Sequence, residues 1–526
     1  MSASTERKNR IAAREAGTDK KTLAAQEEEK KKAQSRRRWI LGTIAVAVLI
    51  LVILLLNSGL MFTATTALTA NTTKYTPAQV NYYYGRDYVN LVNTYGDYAS
   101  MLGIDTSLGL SGLKDQECPM TDGGTWRDYF RDSAKNDVQQ IQALLDYAKE
   151  NGIVLSEEDI AEVDAQFEGI EETARSLGYG SADKLYSMNY GSGVTKDIVH
   201  AAALDGELAN KAYNQKQDSL TWSEDELEAY YAGLNGDKDL FTFDMYYVSA
   251  ETVENTVTAE DGTESTEMIA DDTSRAEAKS TADAIVAAYR DGDDISDPKE
   301  RFEAAVQSQT EDQPSSRSDY SGSSLSSAYA DWMKAADRKA GDIEVFADAG
   351  ESPAGYTVVL FLDRNDNHYH TVNVRHILIK AEAGEDGTYS DEAKAAAKTR
   401  AEEILAEYEA GPKTEESFAA LAEQYSEDSG SNTNGGLYEN VYRGQMVKEF
   451  EDFCFSEHNP GDTGIVYGES GSYAGYHVMY YVGEGPLYSS YLAETELRSQ
   501  EMSSWTAELN EACTVTEGFG FRFVGK

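Results

Sequence analysis

One stretch of this chain is written twice. Phe243-Asp244-Met245-Tyr246-Tyr247-Val248-Ser249-Ala250-Glu251 parallels Val374-Arg375-His376-Ile377-Leu378-Ile379-Lys380-Ala381-Glu382. Both stretches are strand-like, and each leads into an Ala- and Glu-rich helical stretch, 276–289 in the first copy and 392–408 in the second. Each copy then closes with a Gly-Asp turn, Gly341-Asp342 or Gly461-Asp462, and an aromatic-rich strand. These closing strands begin Ala354-Gly355-Tyr356 and Ala474-Gly475-Tyr476. Self-similarity at this spacing predicts two copies of one α+β unit, at 241–364 and 371–484.

The rest of the 526 residues needs further folding units, because a chain this long exceeds a single core. Residues 75–240 read as mostly helical. Thr76-Pro77-Ala78-Gln79 has a cap, a Pro at the first helical position and a Gln that reaches back. Ser156-Glu157-Glu158-Asp159 and Ser223-Glu224-Asp225-Glu226 repeat the capping signal. Val138, Ile141, Leu144, Leu145 and Ala148 recur at three- and four-residue steps, one apolar stripe. Tyrosines crowd the first of these helices (Tyr82, Tyr83, Tyr84, Tyr88, with Tyr95 and Tyr98 beyond). Most read as core, and an exposed subset would offer contact area to apolar peptide at little entropic cost. Residues 485–526 hold an amphipathic stretch and a short strand-like tail.

No charge occurs from Trp39 to Thr73, and 39–56 is almost wholly apolar. Roughly 20 such residues span a bilayer. With Arg36-Arg37-Arg38 just before it, this run predicts a single-pass transmembrane anchor at 39–62. The basic tail 1–38 would then be cytoplasmic and the bulk of the chain extracytoplasmic. The alternative is a cleaved signal peptide; the long charged leader and the length of the apolar run favour the anchor. The net charge of -46 excludes nucleic acid as a natural partner. Cys118, Cys454 and Cys513 have neither a metal-ligand spacing nor an even count for a disulfide framework.

Within the second copy four blocks follow in order: Val374-Arg375-His376-Ile377-Leu378-Ile379; Phe418-Ala419-Ala420-Leu421-Ala422 through Tyr425-Ser426-Glu427-Asp428-Ser429; Gly435-Gly436-Leu437 with Arg443-Gly444-Gln445-Met446-Val447-Lys448-Glu449-Phe450; and Gly475-Tyr476-His477-Val478. In this order the segment resembles the parvulin family of peptidyl-prolyl cis/trans isomerases. The resemblance implies a four-stranded antiparallel sheet wrapped by helices. It also implies a catalytic set of His376, Asp428 and His477, and a proline pocket formed by Leu437, Met446 and Phe450. Counted in this way, the loop between Leu437 and Met446 is one residue longer than in some relatives. Met446 and Phe450, four apart, are expected on one helical face. No metal or cofactor is expected. The acidic loop 381–387 would repel a phosphate, so a phosphoserine-proline substrate is not expected.

The first copy places Met245 opposite His376 and Thr357 opposite His477, and its Ser-rich 315–327 lacks the Gly-Gln-Met block. It is expected to be catalytically silent. The whole order resembles extracytoplasmic foldases, in which the last helix returns to a helical chaperone lobe. That implies partners among unfolded or nascent secreted polypeptides containing X-Pro bonds. The alternative is a non-catalytic, membrane-anchored holdase or secretion scaffold with a relic parvulin domain.

Overall fold

The computed structural model describes residues 3–17, 20–57, 59–258, 264–292, 294–348, 354–384, 387–471 and 473–526. It is a multidomain α+β chain with a helical part and antiparallel sheets, and it divides into two compact units. One unit comprises 1–220 with 500–526, the other 221–499.

The first unit is built on helices Pro77–Tyr95 and Trp126–Glu150. Thr76 caps the former in a reciprocal box with Gln79, and Pro77 opens it. Its core gathers Tyr83, Tyr84, Tyr88, Trp126, Phe130 and Val138. Segments far apart in the sequence meet in a three-stranded sheet in which Leu68–Ala70 pairs with Thr73–Tyr75 on one side and Val515–Glu517 on the other. Gln139 Nε2 donates to the carbonyls of Asn510 (2.6 Å) and Cys513 (2.8 Å), and Phe521 and Val524 join the same core. The helix that Ser223 caps, Glu224–Gly233, belongs to the second unit. Its Leu227 and Tyr231 bury against Ala493 and Leu492, so the expected helical segment 75–240 is divided at 220.

The apolar run lies in one helix, Lys20–Asn57, continuous with the basic residues before it. Among the described residues no helix is long and apolar enough to cross a membrane. The expected anchor at 39–62 therefore has no support there. Its side chains from 51 to 58 lie outside the described residues.

The second unit contains two sheets of one design. In the first, the strand order is Ser315–Ser321, Leu240–Ser249, Gly355–Asn365, Ile343–Ala347; in the second it is Leu437–Val441, His370–Lys380, Tyr473–Leu487, Thr463–Ser470. Every neighbour is antiparallel. The registers coincide residue for residue: Met245 faces Val359 as His376 faces Met479, and Tyr247 faces Thr357 as Leu378 faces His477. Both Gly-Asp turns are clasped alike. Gly341 N donates to Phe361 O and Phe361 N to Asp342 O, while Gly461 N donates to Tyr481 O and Tyr481 N to Asp462 O, all at 2.8–2.9 Å. These turns require glycine, with φ of +93° at Gly341 and +96° at Gly461.

One face of each sheet is covered by a helix pair, Asp272–Asp291 with Pro298–Gln309 and Asp391–Ala410 with Glu415–Tyr425. The cores beneath centre on Phe302 and Ile285, and on Phe418 and Ile404. The Ser-rich segment of the first copy is an edge strand, mostly exposed. Edges tolerate such polar sequence because only one side is paired and the side chains stay in water. The opposite face of the second sheet carries the candidate site.

Candidate active site

Strands His370–Lys380 and Tyr473–Leu487 form the centre of the second sheet, and alternation sends His376, Leu378, His477 and Met479 to one face. The two imidazoles meet diagonally across the pair. Their Nδ1 atoms are 3.0 Å apart, their rings lie 23° from parallel, and the residues are 3% and 4% exposed. A contact of that length between two ring nitrogens needs one donor and one acceptor, so a single proton lies between them.

Asp428 closes one end. His376 Nε2 donates to its Oδ2 at 2.9 Å, and Ser431 Oγ (2.6 Å) and Tyr438 OH (3.0 Å) donate to the same oxygen. The amide of Gly430 donates to Oδ1 at 3.2 Å. His376 first, then Ser431 and the Gly430 amide, hold the carboxyl well below the usual carboxylate range. At the other end Tyr473 OH is 3.0 Å from His477 Nε2. Burial, and then the neighbouring His376, push His477 down to about 3, so its ring is neutral at pH 7. A proton order that satisfies every contact runs from Tyr473 to His477, from His477 Nδ1–H to His376 Nδ1, and from His376 Nε2–H to the Asp428 anion.

The local sequence explains this placement. Ser426 Oγ accepts from Leu378 N at 3.2 Å and Glu427 N donates to Leu378 O at 2.9 Å, which ties the Asp428 loop to the His376 strand. Gly436, with φ +73°, accepts from His376 N at 2.8 Å, and a Cβ there would stand 2.2 Å from His376 O. Only glycine allows that approach. Arg375, on the far face, donates from Nη1 to the carbonyls of Asn434 and Gly435, 3.0 Å each, and pairs with Glu415 at 2.9 Å.

Above the pair lies an apolar cluster. Phe450, 2% exposed, stands edge-on to both imidazoles at 5.4 and 5.3 Å. Met446 packs in the same cluster, half-buried. It does so from the turn before helix Lys448–Cys454, because the helix starts too late for Met446 and Phe450 to share a helical face. Leu437 is not brought to the site. It pairs with Arg375 on the far face, while its neighbour Tyr438 pairs with Val374 and turns toward His376, 5.2 Å away between ring centres. The signal was present in the sequence: the apparent extra residue between Leu437 and Met446 vanishes when Tyr438 takes Leu437's place. Ser431 and Tyr473 were also missed. Tyr473 reaches His477, about 13 Å along an extended strand, over Gly475, which has no side chain. Across the ladder sits Gly468, where a Cβ would stand 2.7 Å from His477 Nε2.

Cys454 lies in this cluster, but burial pushes its thiol up to about 12, so it offers no thiolate. Among the described residues no group of three His, Cys, Asp or Glu could hold a metal ion. Of the acidic loop 381–387, Glu385 and Asp386 lie outside the described residues.

The site makes stability depend on pH. His477 moves from an ordinary 6.5 to about 3 on folding. The unfolded chain therefore binds the extra proton between those values, and stability is undiminished above about pH 6.5 and falls as pH drops toward 3. Asp428, depressed on folding, adds stability present above about pH 4 and lost in stronger acid. Urea unfolding followed from pH 7 to 4 should show a falling midpoint, and His477→Asn should flatten the slope. An identical slope in the variant would contradict the burial of a neutral ring.

Comparison with known proteins places this site within a known domain. Residues 356–480 match the PPIC-type PPIASE domain, a stretch that includes His376, Asp428, Phe450 and His477. Foldase protein PrsA 3 of Bacillus anthracis is 36% identical over 117 residues, 22% of this chain and 33% of that protein. Foldase protein PrsA 4 of Bacillus cereus is 40% identical over 93 residues, 18% of this chain and 26% of that protein. The chain thus spans a third or less of the length of these curated relatives. Among solved structures, peptidylprolyl isomerase PrsA from Bacillus cereus is 27% identical with a TM-score of 0.18, covering 28% of this chain and 49% of that one. Foldase protein PrsA from Streptococcus pneumoniae is 12% identical with a TM-score of 0.22, covering 75% and 92%. Within residues 356–480 this chain is thus similar to the PPIC-type, or parvulin-type, peptidyl-prolyl isomerase domains.

Proposed function

We propose that the second sheet isomerises X-Pro peptide bonds in unfolded polypeptides, with His376, His477 and Asp428 as its polar floor and Phe450, Met446 and Tyr438 as its proline notch. The observation that carries this reading is the paired imidazoles, 3.0 Å apart, directly beneath Phe450. The bond has a barrier of about 18–20 kcal/mol and turns over unaided in tens to hundreds of seconds. No covalent bond needs to break. A planar amide is more polar than a twisted one, because conjugation places charge on its oxygen and nitrogen. Every ring nitrogen of the pair already has a partner, so none competes for the substrate carbonyl. A buried apolar notch over such a floor disfavours the planar, polar amide relative to the twisted one.

The first sheet is expected to be silent, since Met245 and Thr357 stand at the two histidine positions. In a proline-isomerisation assay on a short X-Pro peptide, the His376→Ala, His477→Ala variant should fall on the order of tenfold or more below the intact chain. Equal rates would refute the enzymatic reading.

Chaperone action belongs to the same proposal and is placed on the first unit. Tyr98 and Met101 are 71% and 79% exposed on a short 3-10 turn, Gly96–Leu102, whereas Tyr83, Tyr84 and Tyr88 fill the core. Exposed rings and flexible thioethers suit loose, sequence-tolerant contact with unfolded chain. Tyr98→Ser with Met101→Ser should weaken suppression of aggregation of a denatured client and leave peptide isomerisation within about twofold of the intact chain. Undiminished suppression would remove that surface from the account. Placement outside the cytoplasm is also proposed, and rests on the resemblance to extracytoplasmic foldases.

A further inference from the structure

Tyr438 does two things at once in this site. Its ring packs in the apolar cluster with Phe450 and Met446, 6.5 Å from Phe450 in an edge-on arrangement. Its hydroxyl donates to Asp428 Oδ2 at 3.0 Å, the same oxygen that takes the proton of His376. Gly430 makes room for it, since a Cβ there would stand 3.3 Å from the Tyr438 hydroxyl and 3.5 Å from Asp428 Oδ1. The Gly435-Gly436 turn aims it, because the first paired residue, Leu437, takes the far face and the second takes the near one.

We infer that Tyr438 is both a wall of the proline notch and a positioning residue for the Asp428 carboxylate, so that filling the notch and holding the buried proton chain depend on one side chain. A purely apolar residue here would serve the first role alone. A phenol serves both, since burial and the neighbouring Asp428 push it up to about 12 and it remains a donor across the working pH range. Three donors then meet one carboxylate oxygen: Tyr438, Ser431 and His376. Removing Tyr438's share weakens the hold on the anion without opening the pocket.

The two roles separate by substitution. Tyr438→Phe keeps the ring and removes the donor. It should leave KM for an X-Pro peptide within about twofold and lower kcat about three- to tenfold, the net worth of one ordinary hydrogen bond. It should also move the acid limb of the pH profile upward, because Asp428 has lost a donor. Tyr438→Ala, which removes the wall as well, should raise KM in addition. A Phe variant with unchanged kcat and an unmoved acid limb would overturn the positioning role. Equal KM in the Phe and Ala variants would overturn the wall.

The kinetic arm rests on the isomerase reading, and a second readout does not. The full chain has six histidines, few enough to follow in the ¹⁵N-histidine-labelled protein. Tyr438→Phe should shift the His376 ring ¹⁵N signals while those of His200, whose own partner is Asp164, stay in place. Should the intact chain prove inactive on peptide, the isomerase reading fails by itself, and the His376 signals still decide this inference: a shift upholds the coupling, and unmoved signals overturn it.

Discussion

A single proton between two buried ring nitrogens organises the second sheet. An Nδ1 to Nδ1 distance of 3.0 Å fixes which nitrogen of each ring is free for its other partner, and so fixes where Asp428 and Tyr473 must stand. Buried polar networks stabilise only when every member is satisfied, since one orphaned donor or acceptor costs about 1–3 kcal/mol. Here each ring nitrogen has a partner. That requirement reaches outward to Ser426, which ties the Asp428 loop to the central strand, and to Gly436, whose missing Cβ admits the His376 backbone.

The first sheet shows what the scaffold is without the network. Its strand order, register and Gly-Asp turn are those of the second, yet its equivalent face holds Met245, Thr357 and an aromatic cluster of Phe241, Phe243 and Tyr329. On the far face the ion pair is reversed. Where Arg375 meets Glu415 and two loop carbonyls, the first sheet has Asp244 facing Lys299 at 3.8 Å. A carboxylate cannot donate to carbonyls, so nothing equivalent to the Arg375 clasp forms there. Fold and chemistry are separable in this chain: hydrophobic pattern and turn glycines build the sheet, and a few polar residues on one face give it a site.

Much of this was legible in the sequence, for identifiable reasons. The repeat exposed both sheets because strands, helices and turns recur at the same offsets, and a turn that needs positive φ leaves a glycine to be read. Caps at Thr76, Ser156 and Ser223 marked helix starts because their side-chain chemistry is local. Parity was harder. A shift of one residue carries a strand side chain to the other face, and so Leu437 was read where Tyr438 stands. Tyr473 was hidden because its contact depends on two absent side chains, at Gly475 and Gly468, on different strands. The helix around Met446 was extended one turn too far, since spacing alone does not say where a helix begins.

The central claim, that the Asp428-anchored imidazole pair is what lets this face turn a proline bond, is tested most directly by exchange NMR on an X-Pro peptide with a catalytic amount of the full chain. The intact chain should produce cis–trans exchange peaks. Asp428→Asn, which keeps the side chain's shape but removes the charge that accepts from His376, should abolish or sharply weaken them. Exchange peaks of equal strength with the Asn variant would contradict the account.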